Sequence, residues 1–231
     1  QYNLAYAVND ATAFAAVVAG GADSLFNSVV QYSIHNEMAT KDNISKTIQE
    51  IKTKVGPEDV FIFYYAGHGV MSYEKVAEDS DFFIVTHDVT NLYGETELLR
   101  QKAISATELM SFSMDIAAEK QLFILDACHS GGALDAFATR GDGREKALAQ
   151  LARSTGTFFL TASQDAQYAN EVGDLKHGLF TYALLEILGG ELGDNGDEKI
   201  TISEIKLYVE DRVPELSEKY RGSAQYPTSY S

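Results

Sequence analysis

The chain has only one cysteine, Cys128, among its 231 residues. A single cysteine excludes an internal disulfide framework and any metal site built from several thiolates. The sequence also lacks internal repeats, low-complexity segments, a signal peptide and any apolar run long enough to span a bilayer. We therefore expect a cytoplasmic protein that makes no contact with a membrane.

Basic residues are scarce, because 18 Lys and Arg stand against 34 Asp and Glu, for a net charge of −16. This balance argues against binding of a nucleic-acid backbone, which needs clustered Lys and Arg, so no direct nucleic-acid contact is expected. An acidic surface favours a basic partner or substrate, but it also serves simply to keep a protein dissolved. The length and the 45 % apolar content suit one sizeable α/β domain.

Buried strands alternate with helices along the chain. Apolar runs predict strands over 60–65, 81–85, 122–125 and 157–160. Helical spacing predicts helices over 10–19 (capped by Asn9), 40–55, 105–117, 179–188 and 203–213, the last ended or kinked by Pro214. This alternation predicts a mostly parallel central sheet with helices on both faces.

Two of the predicted strands run into short glycine-containing motifs. The first motif reads Tyr-Tyr-Ala-Gly-His-Gly and ends at Gly69, with His68 between two glycines. The second reads Asp-Ala-Cys-His-Ser-Gly-Gly and contains Cys128. Reactive groups lie at the carboxyl ends of strands in open parallel sheets, and a thiol and an imidazole there can form a nucleophile–base pair. The alternative for a lone cysteine after a strand is a small buried apolar residue.

The two motifs resemble those of caspase-like cysteine peptidases. The Asp-Ala-Cys-His-Ser-Gly order is similar to the metacaspase, paracaspase and bacterial branch, whereas animal caspases have Gln-Ala-Cys followed by Arg, Gln or Gly. The resemblance continues through Ala7–Ala11, Phe159–Ser163 and His177–Leu185. It implies a caspase-like α/β fold and one peptidase domain over residues 1–231.

The resemblance also implies the catalytic roles. Cys128 is the expected nucleophile and His68 the general base and acid, while the backbone amides of Gly69 and Cys128 form the oxyanion hole. The family pattern requires no third catalytic carboxylate. Two other functions stay open at this point: a catalytically silent interaction scaffold, and an acyltransferase that uses the same Cys–His chemistry.

Asp126 is the best candidate for substrate specificity. Asp126 precedes Cys128 by two residues, so strand alternation puts both side chains on the same side of the sheet. A carboxylate there would pair a guanidinium with two hydrogen bonds, or an ammonium less specifically. By resemblance to metacaspases, Asp10 joins it in the S1 pocket, which predicts a protein substrate cleaved after Arg and less well after Lys. Alternatively, Asp10 is an acidic residue in the first turn of a helix, where the helix dipole favours it. Glu171 is a further candidate, which either lines the substrate cleft or is an acidic residue on the surface.

Residues 132–154 follow the cysteine directly, where the family has its mobile intersubunit linker. Arg140 and Arg144 are candidate self-cleavage sites there, although they could equally be ordinary solvated loop residues. Residues 145–152 could form a short helix. Relatives also have a strand before the Ala7–Ala11 helix motif. Its apparent absence predicts a piece of a larger protein with an upstream regulatory or sensor domain. The resemblance to metacaspases, which are often monomers, implies a monomeric peptidase domain.

Calcium is a candidate activator, and no other cofactor is required. The stretch Gly193–Glu204 resembles an EF-hand loop, but it has glycine at the first ligand position and Glu198 where the motif wants glycine. The alternative is an acidic turn in which Thr201 or Ser203 caps the last helix. Some metacaspases need calcium at a different acidic site. The candidate ligands are therefore Asn195, Asp197 and Glu204 in one stretch, and Asp79, Asp81 and Asp88 in the other.

Overall fold

The computed structural model describes residues 4–22, 25–72, 81–91, 96–127, 157–162, 171–190 and 199–230. The helices in these ranges are α1 (Ala7–Ala22), α2 (Lys41–Lys52), α3 (Thr96–Lys102), α4 (Ala106–Asp115), α5 (Leu179–Leu188) and α6 (Ile202–Arg221). The strands are β1 (Val60–Gly67), β2 (Gly69–Met71), β3 (Phe82–Ile84), β4 (Ile104–Ser105), β5 (Lys120–Ala127), β6 (Thr157–Thr161), β7 (Glu171–Val172), β8 (His177–Gly178) and β9 (Thr228–Tyr230). A short 3-10 turn covers Asn36–Met38.

The central sheet has the strand order β1-β5-β6-β9. Strands β1, β5 and β6 are parallel, and β9 adds to β6 in the antiparallel direction. Strands β1 and β5 pair over their whole lengths, from Val60 opposite Lys120 to Gly67 opposite Ala127. The predicted mostly parallel sheet is therefore confirmed, and its two longest strands end in register.

Both faces of this sheet are covered by helices, as predicted. Successive strand residues point to opposite faces, and β5 shows this directly. Phe123 and Leu125 pack in one cluster with residues of α2 and α4. Leu122 and Ile124 pack in another cluster with residues of α1, α5 and α6. The apolar run of β5 thus serves two cores, which is why it reads as continuous rather than alternating.

Three phenylalanines cross the sheet on the α2 and α4 face. Phe63, Phe123 and Phe159 are register partners on β1, β5 and β6. Their ring centroids lie 5.5 Å and 5.0 Å apart in stacked arrangements. Aromatic pairs of this kind add about 0.5–1.5 kcal/mol beyond the burial of their area. They stabilise the three parallel strands, two of which, β1 and β5, are followed by the candidate catalytic residues.

A second, three-stranded sheet begins directly after β1. Its order is β2-β3-β4 with antiparallel pairs. Strand β2 starts at Gly69, which is opposite Ile84 of β3. His68 is therefore the single residue between a strand of the central sheet and a strand of the second sheet. Strands β7 and β8 form a separate hairpin before α5.

Two helices extend beyond their predicted bounds. Helix α1 starts at Ala7, and the Asp10 N–H already donates to the Tyr6 carbonyl, so Asn9 lies inside the helix and does not cap it. Helix α6 continues through Pro214 to Arg221. The loss of one backbone donor at the proline is tolerated because Val213 and Leu216 are both buried in the core. Nowhere in the described ranges does a helix combine the length and the apolarity that crossing a bilayer requires.

Candidate active site

The candidate catalytic residues follow two adjacent strand ends. Gly67 and Ala127 are the last paired residues of β1 and β5. His68 comes next after β1, and Cys128 comes next after β5 in the sequence. Cys128 lies outside the described residues, as do His129 and Ser130. Neighbouring strands are only about 4.8 Å apart, so Gly67 and Ala127, the residues that precede His68 and Cys128 in the sequence, lie close together.

The backbone of His68 is fixed by the second sheet and by a tyrosine. The His68 carbonyl accepts a hydrogen bond of 2.9 Å from the Val85 N–H. It accepts a second one, 2.8 Å long, from the hydroxyl of Tyr65. The His68 residue is half-buried. The main chain of His68 is therefore held against the end of β3, at the junction between β1 and β2.

The two aspartates predicted for the S1 pocket lie close together. A Cβ atom added at Gly178 would be 2.9 Å from Oδ2 of Asp126 and 3.3 Å from Oδ2 of Asp10. The two carboxylate oxygens therefore lie within about 6 Å of each other, both close to this glycine. Both residues are buried, with exposures of 3 % for Asp10 and 6 % for Asp126. The structure thus joins α1, β5 and the β8–α5 junction at one point.

Strand β8 binds both oxygens of Asp10. Oδ1 lies 2.6 Å from Nδ1 of His177, and Oδ2 accepts a 3.1 Å hydrogen bond from the Gly178 N–H. Burial lowers the pKa of His177, because the charged ring loses hydration there. In the tautomer with the proton on Nδ1, the neutral ring donates to Asp10. Helix α1 adds its own positive end, since Asp10 lies in its first turn.

Asp126 serves the N-terminus of α5. The N-cap residue of α5 is Gly178, which has no side chain that could accept a hydrogen bond. The Thr181 N–H, one of the donors left unbonded by the start of the helix, donates 3.2 Å to Oδ2 of Asp126. The Thr181 hydroxyl donates to the same oxygen. A carboxylate 55 residues away in sequence thus takes the place of the missing cap.

Tyr64 extends this network by one further hydroxyl. Its O–H lies 2.6 Å from Oγ1 of Thr181 and donates to it, since the Thr181 proton already points to Asp126. The Tyr64 ring stacks on Phe14 of α1, with centroids 4.4 Å apart. Burial of the hydroxyl and the nearby charges of Asp126 and Asp10 raise the pKa of Tyr64 well above its usual value. The phenol therefore stays a protonated donor at any ordinary pH.

Replacing Tyr64 by phenylalanine should cost less stability at alkaline pH than at neutral pH. The folded pKa is raised, so the stabilising contribution is fully present below the unfolded pKa of about 10 and is lost as the pH rises beyond it. Urea unfolding of the wild type and of Tyr64→Phe measures this as a difference in free energy that shrinks above about pH 10. A difference that stays constant across that pH range would contradict the assignment.

Sequence reasoning did not find His177, Thr181 or Tyr64 as parts of this site. The resemblance places His177 and Gly178 in a helix motif, and Tyr64 is predicted only as part of a strand and as the first residue of the Tyr-Tyr-Ala-Gly-His-Gly motif. A usable signal is the polar Thr181, which is completely buried in the first turn of a mainly apolar helix. A buried hydroxyl needs a partner, and in this case the partner is Asp126.

The described calcium candidates have partners within the protein. Asp81 is buried, and its carboxylate accepts from the Phe82 N–H at 2.9 Å and from the Thr107 hydroxyl at 3.3 Å. Asp88 lies 3.6 Å from the ammonium of Lys102. Glu204 belongs to the capping box of α6 with Thr201. Across the described ranges, no group of three or more His, Cys, Asp or Glu is arranged to hold a metal ion.

Several predicted residues lie outside the described part of the chain. They are Asp79, Asn195 and Asp197 for calcium, Arg140 and Arg144 for self-cleavage, and the predicted linker 132–154. Glu171 is described as the first residue of β7, but not in its side chain. Calcium activation, self-cleavage and the lining of the cleft by Glu171 therefore stay predictions.

Comparison with known proteins finds a family model, a partial sequence relative and a similar solved structure. A family model described as the caspase domain matches residues 1–231. A protein of a Desulfuromonadales bacterium, named as a probable protease, is 31 % identical over 93 residues, which cover 40 % of this chain and 10 % of that protein. A crystal structure of a Geobacter sulfurreducens protein matches the fold with a TM-score of 0.63 at 18 % identity, over 99 % of this chain and 84 % of the other. This chain spans about a tenth of the length of the probable protease.

Proposed function

Because this chain belongs to the caspase domain family, we propose that it is a cysteine endopeptidase that cleaves proteins after arginine and less readily after lysine. The observation that carries the specificity is the meeting of Asp10 and Asp126 around Gly178. Asp126 lies one residue before the end of β5, and Cys128 follows that end directly. Asp126 and the nucleophile are thus two residues apart at the end of one strand, and Asp10 of α1 lies beside Asp126.

The proposed reaction uses the thiol, the imidazole and two backbone amides. His68 takes the proton of Cys128 as its sulfur attacks the scissile carbonyl carbon, and the amides of Gly69 and Cys128 stabilise the oxyanion. The C–N bond then breaks as His68 gives that proton to the leaving amine, which leaves a thioester. Water, deprotonated by His68, attacks the thioester, and the free carboxylic acid and the thiol are released.

Two carboxylates within about 6 Å of each other favour a cation between or above them. Among the contacts described, Asp10 and Asp126 accept from backbone N–H groups and a hydroxyl, and Asp10 also lies beside the imidazole of His177. An incoming guanidinium adds a full positive charge beside both carboxylates. Its planar fork matches carboxylate oxygens better than the single ammonium of lysine does, which explains the proposed order of preference.

Self-cleavage in the predicted linker belongs to the same proposal. Arg140 and Arg144 follow Cys128 by 12 and 16 residues in the sequence. Each is the type of residue after which the proposed peptidase cleaves. Mass spectrometry of wild type and Cys128→Ala after expression should show fragments cut after these arginines in the wild type alone. Fragments of the same mass in both preparations would assign the cuts to a foreign protease.

A panel of matched fluorogenic peptides ending in Arg, Lys or Asp tests the function. We expect the wild type to cleave the Arg peptide fastest, the Lys peptide more slowly and the Asp peptide not at all. Cys128→Ala is the matched control for contaminating proteases and should cleave none of them. Each assay is run with calcium and with a chelator, so that activation by calcium is read from the same plate. Preferred cleavage after Asp would overturn the pocket, and absence of cleavage under every condition would favour a scaffold.

A further inference from the structure

The side chain of Tyr65 lies along its own strand toward His68 and covers Gly67. Residues 65 and 67 point to the same face of β1 because they are two apart. A Cβ atom at Gly67 would overlap the Tyr65 hydroxyl and would lie 2.5 Å from the Cζ atom of the ring. Real side chains do not come this close. The glycine before His68 is therefore needed to leave room for this tyrosine.

The Tyr65 hydroxyl joins two backbone carbonyls from different parts of the fold. It lies 2.8 Å from the His68 oxygen and 2.8 Å from the Val85 oxygen. Val85 follows the last residue of β3, and its N–H donates to the same His68 oxygen. One phenol proton is shared between two acceptors that belong to the two sides of the junction. The contact ties the end of β1 to the end of β3.

His68 lies at the corner between two sheets, so its direction depends on the angle of that corner. On one side, Gly67 is paired with Ala127 in the central sheet, and on the other, Gly69 is paired with Ile84 in the second sheet. No residue besides His68 separates the two pairings. A change in how the sheets meet would therefore move the imidazole relative to the end of β5. The Tyr65 hydroxyl bridges this corner at the histidine itself.

From this geometry we propose that Tyr65 is a positioning residue for His68. Its hydroxyl fixes the angle between the two sheets at His68 and so directs the imidazole toward the end of β5. Gly67 leaves the space that the Tyr65 ring occupies. The inference rests on the proposed peptidase function, since it assigns a task to Tyr65 only if His68 moves the protons. Tyr65 acts through the backbone of His68 and takes part in no bond-making step.

Tyr65→Phe tests the inference, because it removes the hydroxyl and keeps the ring. Misplacement of a catalytic group by about 1 Å costs up to about a hundredfold in rate, so we expect kcat for the Arg peptide to fall tenfold or more, as a rough lower bound. The KM should stay unchanged, because Asp10 and Asp126 are held by other contacts. Tyr32→Phe is the matched control, since it removes a hydroxyl that bonds only surface side chains, Glu50 and Lys54, among the contacts described.

The alkylation rate of the thiol gives a second readout that needs no substrate. Cys128 is the only cysteine, so the reaction of the protein with iodoacetamide reports on this one sulfur. We expect Tyr65→Phe and His68→Ala both to slow alkylation, and the double variant to be no slower than His68→Ala alone. A merely structural tyrosine would instead slow the reaction of the His68→Ala protein further, or would leave the rate of the single variant unchanged.

Gly67→Ala provides an independent check, because the added methyl must push the Tyr65 ring aside. We expect a loss of kcat at least as large as that of Tyr65→Phe. In a Tyr65→Ala background the same glycine substitution should change kcat little, because the ring that it displaces is gone. The two hypotheses fail in different ways. Full activity of His68→Ala would refute the proposed function, whereas wild-type kcat in Tyr65→Phe beside an inactive His68→Ala would refute only the positioning role.

Discussion

Replacing Asp126 with asparagine should remove most cleavage after arginine and leave the protein folded. An asparagine Oδ1 can still accept from the N–H and the hydroxyl of Thr181, which now donate to the carboxylate. The negative charge is lost, and a buried guanidinium without its charge partner costs about 2–5 kcal/mol. Since about 1.4 kcal/mol is tenfold, kcat/KM for the Arg peptide should fall by roughly thirtyfold to a few thousandfold.

The measurement is kcat/KM for the Arg and Lys peptides, with circular dichroism to verify folding. Asp115→Asn makes the same chemical change at a surface carboxylate, paired with Lys52 at 3.2 Å, and should behave like the wild type. An Asp126→Ala protein is a poorer choice, because it would leave the two Thr181 donors without their acceptor. A folded Asp126→Asn protein that keeps its preference for arginine would show that this carboxylate does not select the substrate.

Replacing Gly178 with alanine should both destabilise the protein and impair the acidic pair. The added Cβ would lie 2.9 Å from Oδ2 of Asp126 and 3.3 Å from Oδ2 of Asp10, where both carboxylates are buried. These oxygens cannot retreat freely, because Thr181 and the Gly178 N–H hold them. Overpacking at a buried site costs about 1–3 kcal/mol. For a protein of this size that lowers Tm by roughly 2–4 °C per kcal/mol.

Gly20→Ala is the matched control for this substitution. Gly20 lies in α1, and a Cβ at this position meets nothing within 4 Å. Alanine there should be neutral or stabilising by up to about 1 kcal/mol, because glycine is a poor helix former. Thermal unfolding and the Arg peptide assay together distinguish the two sites. A Gly178→Ala protein with wild-type Tm and wild-type kcat/KM would contradict the tight approach of the two carboxylates around this glycine.

Much of the fold could be predicted from local pattern. The apolar runs of β1, β5 and β6 mark strands buried on both faces, and α5 was predicted with its observed bounds, Leu179–Leu188. The caps of α2 and α4, Thr40 and Ser105, stand directly before helical spacing begins. These features depend on residues close together in the chain, and the sequence displays them directly.

Short strands and long-range contacts escaped prediction for a physical reason. Strands β4, β7, β8 and β9 have two or three residues each, too few to show a period. The continuation of α6 beyond Pro214 depends on buried residues packed against other elements. The same is true of the site, where Asp10 and Asp126 were found by motif but their partners His177 and Thr181 were not. Those partners are defined by packing of α1 and β5 against the start of α5, which no local pattern records.

The contacts around Gly178 have a consequence for a protein cut between residues 127 and 157. Residues 4–127 supply β1, β5, Asp10 and Asp126, whereas 157–230 supply β6, α5 and the donors that hold both carboxylates. Parallel pairing of Gln121–Leu125 with Thr157–Thr161 and shared burial of Phe14 with Leu184 hold the two parts together. A nicked chain should therefore run as two bands on a denaturing gel but elute as one species under native conditions. Separately expressed halves should each lack a complete acidic pair with its donors and regain it only on association.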